Sequence, residues 1–317
     1  MAHLILDPSL LSTVQDKVVV LTGGATGIGR AAVNLFHQHG AKIIFGDIAT
    51  SEAHDLTATL GENVDFVHCD TTSYADQLAL FRTAYTKHGR IDIVVAVAGV
   101  ANPCSIFDPA ADINEEPSML EIEVNTIGSL FTARIGMHYL RMNNNNNNDK
   151  AQQGAGGGDI VLMSSIIGFK ETQDLVPYTT SKHGVVGIMR GLHLQAEREG
   201  IHVNVICPWV TRTRMSVGIE KEWTEQGLPI NEAEDVARNI LICATANRGV
   251  NGLTHTGAKL PFSGKMIYMA GGEGYEIEDA QKALEPQWLG EENSRILARG
   301  QEFLARDDIS WDPERRK

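Results

Sequence analysis

The sequence has no uninterrupted apolar run of the roughly 18 residues a membrane-spanning helix needs. No transmembrane anchor is expected. Basic charge is scarce: 27 Lys and Arg stand against 40 Asp and Glu, for a net charge of −13. Phosphate backbones and anionic membranes require a basic face, so neither nucleic acid nor membrane is an expected partner. The one basic cluster, Arg315, Arg316 and Lys317, reads as a solvated tail. The four cysteines, Cys69, Cys104, Cys207 and Cys243, are far apart, and none sits in a C-x-x-C pair. The 11 histidines show no H-E-x-x-H spacing. Neither a metal centre nor a disulfide framework is expected; free buried thiols in a reducing, cytoplasmic setting are. There is no N-x-[ST] sequon, and the first residues lack the basic and long apolar regions of a signal peptide. Aromatics make up only 6%, but 43% hydrophobic and 21% charged residues suit a folded domain.

What is present is an alternation of strands and helices. The run Lys17 to Leu21 reads as a strand, followed by a Gly-rich turn and a helix over Arg30 to His39. Strands are expected at 42–45, 63–68, 92–98, 159–163, 201–206 and 265–269. Helices are expected at 73–88, 118–142, 178–199 and 232–246. Several of the strands are apolar throughout, as a sheet covered on both faces requires. The fold class is therefore α/β: a doubly wound parallel sheet, or Rossmann fold. Residues 1–272 form the dinucleotide-binding catalytic domain. Within it, 143–158, with six consecutive Asn and then a Gly-rich stretch, reads as a disordered insertion. Residues 273–317 are a C-terminal arm.

The first turn reads Thr22-Gly23-Gly24-Ala25-Thr26-Gly27-Ile28-Gly29, between a strand and a helix. A pyrophosphate needs that arrangement: glycines for close backbone approach and a helix N-terminus for its charge. Asp47 ends the next strand, 18 residues after Gly29. An acid there bonds the ribose hydroxyls of NAD and repels the extra phosphate of NADP. Tyr178 and Lys182 are spaced i, i+4, on one helical face. An ammonium beside a phenol lowers the phenol pKa, giving a general acid/base near neutral pH. Ser165 ends a strand 13 residues earlier, where its hydroxyl can bond a substrate oxygen.

The sequence resembles the short-chain dehydrogenase/reductase family from about residue 14 to about 272. The resemblance rests on residues 22–29, on Asp70, Val124-Asn125 and Ser164-Ser165, and on Tyr178-Thr-Thr-Ser-Lys182. It implies that Tyr178 exchanges a proton with the substrate oxygen, that Lys182 lowers the Tyr178 pKa and holds the nicotinamide ribose, and that Ser165 orients the substrate. It also implies that Asn125 places a water for a proton relay, and that Asp70 contacts the adenine with Thr71 beside it. Gly23, Thr26, Gly27, Ile28, Gly29, Asp47, Ala98 and Gly99 would line the cofactor, with Pro208, Thr211 and Thr213 at its nicotinamide end.

Two departures stand out. Ala96-Val97-Ala98-Gly99 replaces the family's Asn-Asn-Ala-Gly, removing amides that tie adjacent strands. Pro208-Trp209 replaces Pro-Gly, so Trp209 either lines the substrate pocket or packs against the arm. The apolar residues of a lid at 215–228 suit a fairly large apolar substrate, and parts of the sequence resemble fungal members acting in secondary metabolism. The expected activity is NAD-dependent hydride transfer between a secondary alcohol and a ketone. The alternatives are an NADPH-dependent ketoreductase, or a non-redox scaffold or pericyclic enzyme on the same fold. Helices 118–142 and 178–199 carry apolar residues on more than one face, so a homodimer or homotetramer is expected. The arm's apolar residues, Trp288, Ile296 and Phe303 among them, are expected to dock beside the substrate pocket.

Overall fold

The computed structural model describes residues 1–102, 106–146, 157–306 and 309, and not the side chains of 144–146. Nine strands form one sheet in the order β1-β9-β8-β7-β6-β5-β2-β3-β4. They are β1 (Ala2–Leu4), β2 (Val18–Thr22), β3 (Lys42–Asp47), β4 (Val64–His68), β5 (Ile93–Ala96), β6 (Gly158–Met163), β7 (Ile201–Pro208), β8 (Met266–Ala270) and β9 (Glu273–Glu276). The strands from β2 to β8 pair in parallel, and β9 is antiparallel to both β8 and β1. Successive strand residues point to opposite faces. Val19 and Leu21 join the core under α1 (Gly27–Gln38) and α7 (Ala233–Thr245). Val18 and Val20 join the core on the other face, under α3 (Tyr74–His88), α4 (Ser129–Asn146) and α5 (Val176–Arg198). Two buried faces explain why the central strands carry no polar alternation. The strand order reverses between β2 and β5, which is where a doubly wound sheet opens a crevice for ligand.

The sequence reading omits α2 (Thr50–Leu60) and the two antiparallel strands. Gly271 and Gly272 both have positive φ and close a two-residue hairpin, with Ala270 paired to Glu273. The chain thus crosses residue 272 without leaving the sheet. β9 carries it back to the edge opposite the crevice, and α8 (Glu278–Leu289) and α9 (Glu291–Leu304) start from there. Arg190 on α5 bonds Glu278 at 3.0 and 2.9 Å, and Arg198 donates to the Ala305 carbonyl. This corrects the expected docking of the arm beside the substrate pocket. The hairpin reverses the chain, so the described part of the arm is tied to the far half of α5, and Trp288 and Ile296 stay exposed at 70% and 54%.

The segment expected to be a disordered insertion lies mostly outside the described residues. Its described beginning is anchored. α4 runs on to Asn146, and the buried Asn143 amide donates to the carbonyls of Ile91 and Gly157. Asn143 is thus a buried structural amide whose donors are bonded, not part of a solvated run. Trp311, Cys104 and the basic cluster at 315–317 also lie outside the described residues.

Candidate active site

The turn after β2 is built by close approach. A Cβ on Gly29 would stand 1.8 Å from the Gly23 carbonyl oxygen, and one on Gly23 would stand 2.6 Å from the Ala98 backbone. Gly23 and Gly27 both have positive φ, a region costly for other residues. Thr26 is the N-cap of α1 but makes no side-chain cap bond, so the cap side chain leaves the first-turn amides available to a ligand. The crevice is a cleft of about 350 Å³. Gly23, Thr26, Gly27, Ile28, Gly29, Asp47, Asp70, Thr71, Ala98, Gly99 and Thr213 all line it. A glycine cradle at a helix N-terminus fits the pyrophosphate of a dinucleotide.

Pro208 and Thr211 do not line this cleft. Thr211 is buried, and its hydroxyl donates to the Trp209 carbonyl at 3.1 Å. Residues the sequence reading passed over also line the cleft, among them Ile48, Val100 and Arg214, together with Met215, which it had placed in the lid. Most adjoin a predicted contact, which was the available signal. Arg214, next to Thr213, also reaches across to α2, its guanidinium meeting Glu52 at 2.8 Å. The strand tie removed with the family's asparagines is kept by backbone, since Val97 and Ala98 both donate to the Thr22 carbonyl, at 3.2 and 3.0 Å.

Four polar side chains gather behind the cleft. Ser165 follows β6 and N-caps the short 3-10 turn Ile166–Gly168, its Oγ accepting from the Ile167 amide at 3.3 Å. Tyr178 lies in the first turn of α5, after Pro177, which tolerates that position because it lacks an N–H. Lys182, one turn on, stands 5.5 Å from the Tyr178 ring centroid, and its Nζ donates to the Met163 carbonyl at 3.2 Å. Asn125 lies in a π-helical turn, Ile122–Gly128, a rare register that recurs at functional sites. Its Oδ1 accepts from the Val100 amide at 2.8 Å, while Nδ2 donates to the Val100 carbonyl and to Ser181 Oγ, both at 2.9 Å. Gly99 sits between them: a Cβ there would meet Asn125 Oδ1 at 3.1 Å and Lys182 Nζ at 3.3 Å.

Burial governs the titration of this group. It raises the Tyr178 phenol above its ordinary value, with the hydrogen bond to Ser165 pulling the other way. It brings Lys182 down to about 8. The ammonium is engaged by the Met163 carbonyl, and desolvation of the phenol outweighs what its neighbours supply. Cys207, behind Lys182, is a buried free thiol pushed up to about 12, so it carries no nucleophile. Trp209 meets Trp223 of the lid edge-on, with ring centroids 5.2 Å apart.

The cradle, the acidic strand end and the Ser–Tyr–Lys–Asn cluster define a dinucleotide-dependent oxidoreductase of the doubly wound class. The family model described as short chain dehydrogenase matches residues 17–223, and the chain belongs to that family. It is 38% identical over 208 residues to the short-chain dehydrogenase/reductase ascJ of Acremonium egyptiacum, covering 64% of this chain and 66% of that one. It is 25% identical over 302 residues to the 5'-hydroxyaverantin dehydrogenase stcG of Emericella nidulans, covering 91% and 94%. Among solved structures, a 3-ketoacyl-(acyl-carrier-protein) reductase from Brucella melitensis complexed with NADH superposes with a TM-score of 0.68 at 19% identity, over 82% of this chain and 98% of that one. That last likeness concerns the fold.

Proposed function

We propose that the protein interconverts a secondary alcohol and a ketone with NAD, on a largely apolar secondary metabolite. The observation that carries this reading is the convergence of Ser165, Tyr178, Lys182 and Asn125 behind the glycine cradle, with Gly99 between Asn125 and Lys182. Gly23, Gly27 and Gly29 hold the cofactor's pyrophosphate, and Asp47 its ribose. Both Asp47 oxygens are pinned, one by the Ala25 amide and one by the Ala49 amide, each at 2.9 Å. A fixed negative charge there favours ribose hydroxyls and repels a 2′-phosphate.

Bound nicotinamide supplies the carbon that accepts or gives the hydride. Ser165 donates to the substrate oxygen, and Tyr178 takes its proton in oxidation or returns it in reduction. Lys182 orients the phenol and the ribose, and Asn125 fixes the Val100 backbone beside them. An apolar substrate is supported by the Trp209–Trp223 pair and by Met215 and Val217, exposed at 53% and 69% on the lid. The name of the Emericella relative, a dehydrogenase, supports alcohol oxidation.

The test is a panel of hydrophobic secondary alcohols offered with NAD and with NADP, followed by nicotinamide absorbance. NAD-dependent oxidation is expected. Turnover confined to NADP, or failure of the protein to bind either cofactor, contradicts the reading. We further propose a homodimer or homotetramer through α4 and α5. Their inner residues Ile135, Val186 and Met189 are buried in the core, while Leu130 is 46% exposed beside Ile188 and Leu192 on an open groove. A cytoplasmic setting is supported by three buried free thiols, Cys69, Cys207 and Cys243. Light scattering that gives the mass of a single chain contradicts the oligomer.

A further inference from the structure

Gln77 neither lines the cleft nor belongs to the polar cluster, yet it is 0% exposed in the first turn of α3. Burying an amide is costly unless its donors and its acceptor are all satisfied. Those of Gln77 are. Nε2 donates to the Thr71 carbonyl at 2.7 Å and to the Gly128 carbonyl at 2.9 Å, while Oε1 accepts from Thr132 Oγ1 at 2.7 Å. Two carbonyls can only accept, so the partners fix which way the amide faces.

The two carbonyls belong to different parts of the site. Thr71 lines the cleft after β4, and Gly128 closes the π turn that carries Asn125. The two segments also touch directly: a Cβ on Gly128 would meet the Thr71 side chain at 3.1 Å. An apolar residue of the same size could fill the space of Gln77. It would strand the Thr71 carbonyl in a dry interior and leave the Gly128 carbonyl, at the end of the π turn, held only by the Thr132 hydroxyl among side chains, at 3.0 Å, so that the turn can relax.

We propose that Gln77 is a positioning residue that bolts the Asp70–Thr71 end of the cofactor cleft to the π turn bearing Asn125, so that filling the adenosine end steadies the proton-relay end. The inference rests on the reading of the cleft as a dinucleotide site.

The test uses AMP, which fills the adenosine end alone, and amide hydrogen exchange on the full chain. In the natural protein, saturating AMP is expected to slow exchange at 70–73 and also at 128–133. Gln77→Met should keep the first protection and lose the second. It should also weaken NADH binding roughly tenfold, equivalent to about 1.4 kcal/mol. Thr132→Val keeps both amide donors of Gln77 and should stay within about twofold. A purely structural amide would lower the melting temperature in either variant and leave NADH affinity and the exchange pattern unchanged. If Gln77→Met does not fold, the natural protein decides alone: AMP protection at 70–73 with none at 128–133 overturns the coupling. If neither AMP nor NADH binds the natural protein, the dinucleotide reading fails and the coupling fails with it.

Discussion

Lys182 Nζ donates to the Met163 carbonyl oxygen at 3.2 Å, tying the cation to the end of β6 beside the phenol it serves. The tie fixes where the charge stands, and burial sets when it is lost. With its pKa brought down to about 8, the ammonium keeps its proton below that pH and gives it up as pH rises through it. NADH affinity is therefore expected to fall as pH rises through about 8. Lys182→Met should remove that dependence and weaken binding at pH 7 by about tenfold or more, the loss of a charged hydrogen bond. Fluorescence titration of NADH across the pH range reads both effects.

Asp47 is held rigidly by two backbone amides and cannot swing away from a 2′-phosphate. Asp47→Ala should narrow the preference for NAD over NADP by about tenfold, by removing the like-charge repulsion. Parallel Trp-fluorescence titrations of the two cofactors check this. Equal affinities in the natural protein would remove the basis for NAD specificity.

His255 is buried and neutral. Its Nδ1 accepts from the Asp7 amide at 3.0 Å, and Nε2 pairs with Thr245 Oγ1 at 2.8 Å. Desolvation brings its pKa from 6.5 down to about 4. Between those values the unfolded chain binds the proton and the folded chain refuses it. Stability is then undiminished above about pH 6.5 and falls as pH drops toward 4, by an amount on the order of 3 kcal/mol. Denaturant melts at pH 7 and pH 4.5 should show this loss, and His255→Gln should flatten that part of the profile.

The arm is held through Arg190 and Glu278, at the edge of the sheet remote from the cleft. Glu278→Ala should cost about 1–3 kcal/mol of stability by stranding half of a hydrogen-bonded charge pair. It should leave the KM for substrate and the NADH affinity unchanged. A raised KM in a folded variant would bring the arm back to the pocket.

The features legible in the sequence were local ones. The glycine turn, the acid ending β3 and the spacing of Tyr178 and Lys182 each occupy a few adjacent residues, and the apolar strands declare a sheet buried on both faces. What escaped depends on distant partners. β1 is three residues long and pairs with β9, more than 260 residues away. α2 buries only Ala53 and Leu56, too few for a clear helical stripe. Gly271-Gly272 was a readable hairpin signal, but Glu273-Gly274 after it did not look like a strand. The π turn reads as ordinary helix, because its register is tied from outside, by Val100 and Ser181. Gln77 carried no signal at all as a single polar residue on α3. Spacing put Lys182 on the same face as Tyr178, but the sign of the phenol's shift depends on desolvation, which only the packed structure defines.

Tyr178→Phe tests the central claim most directly, because it removes one hydroxyl and leaves the ring that packs beside Lys182. The rate of NAD reduction with a turned-over secondary alcohol should fall by about 10²–10⁴-fold or more, while the NADH dissociation constant stays within about twofold. A Tyr178→Phe protein that keeps the natural kcat would mean that another group moves the proton, contradicting the account.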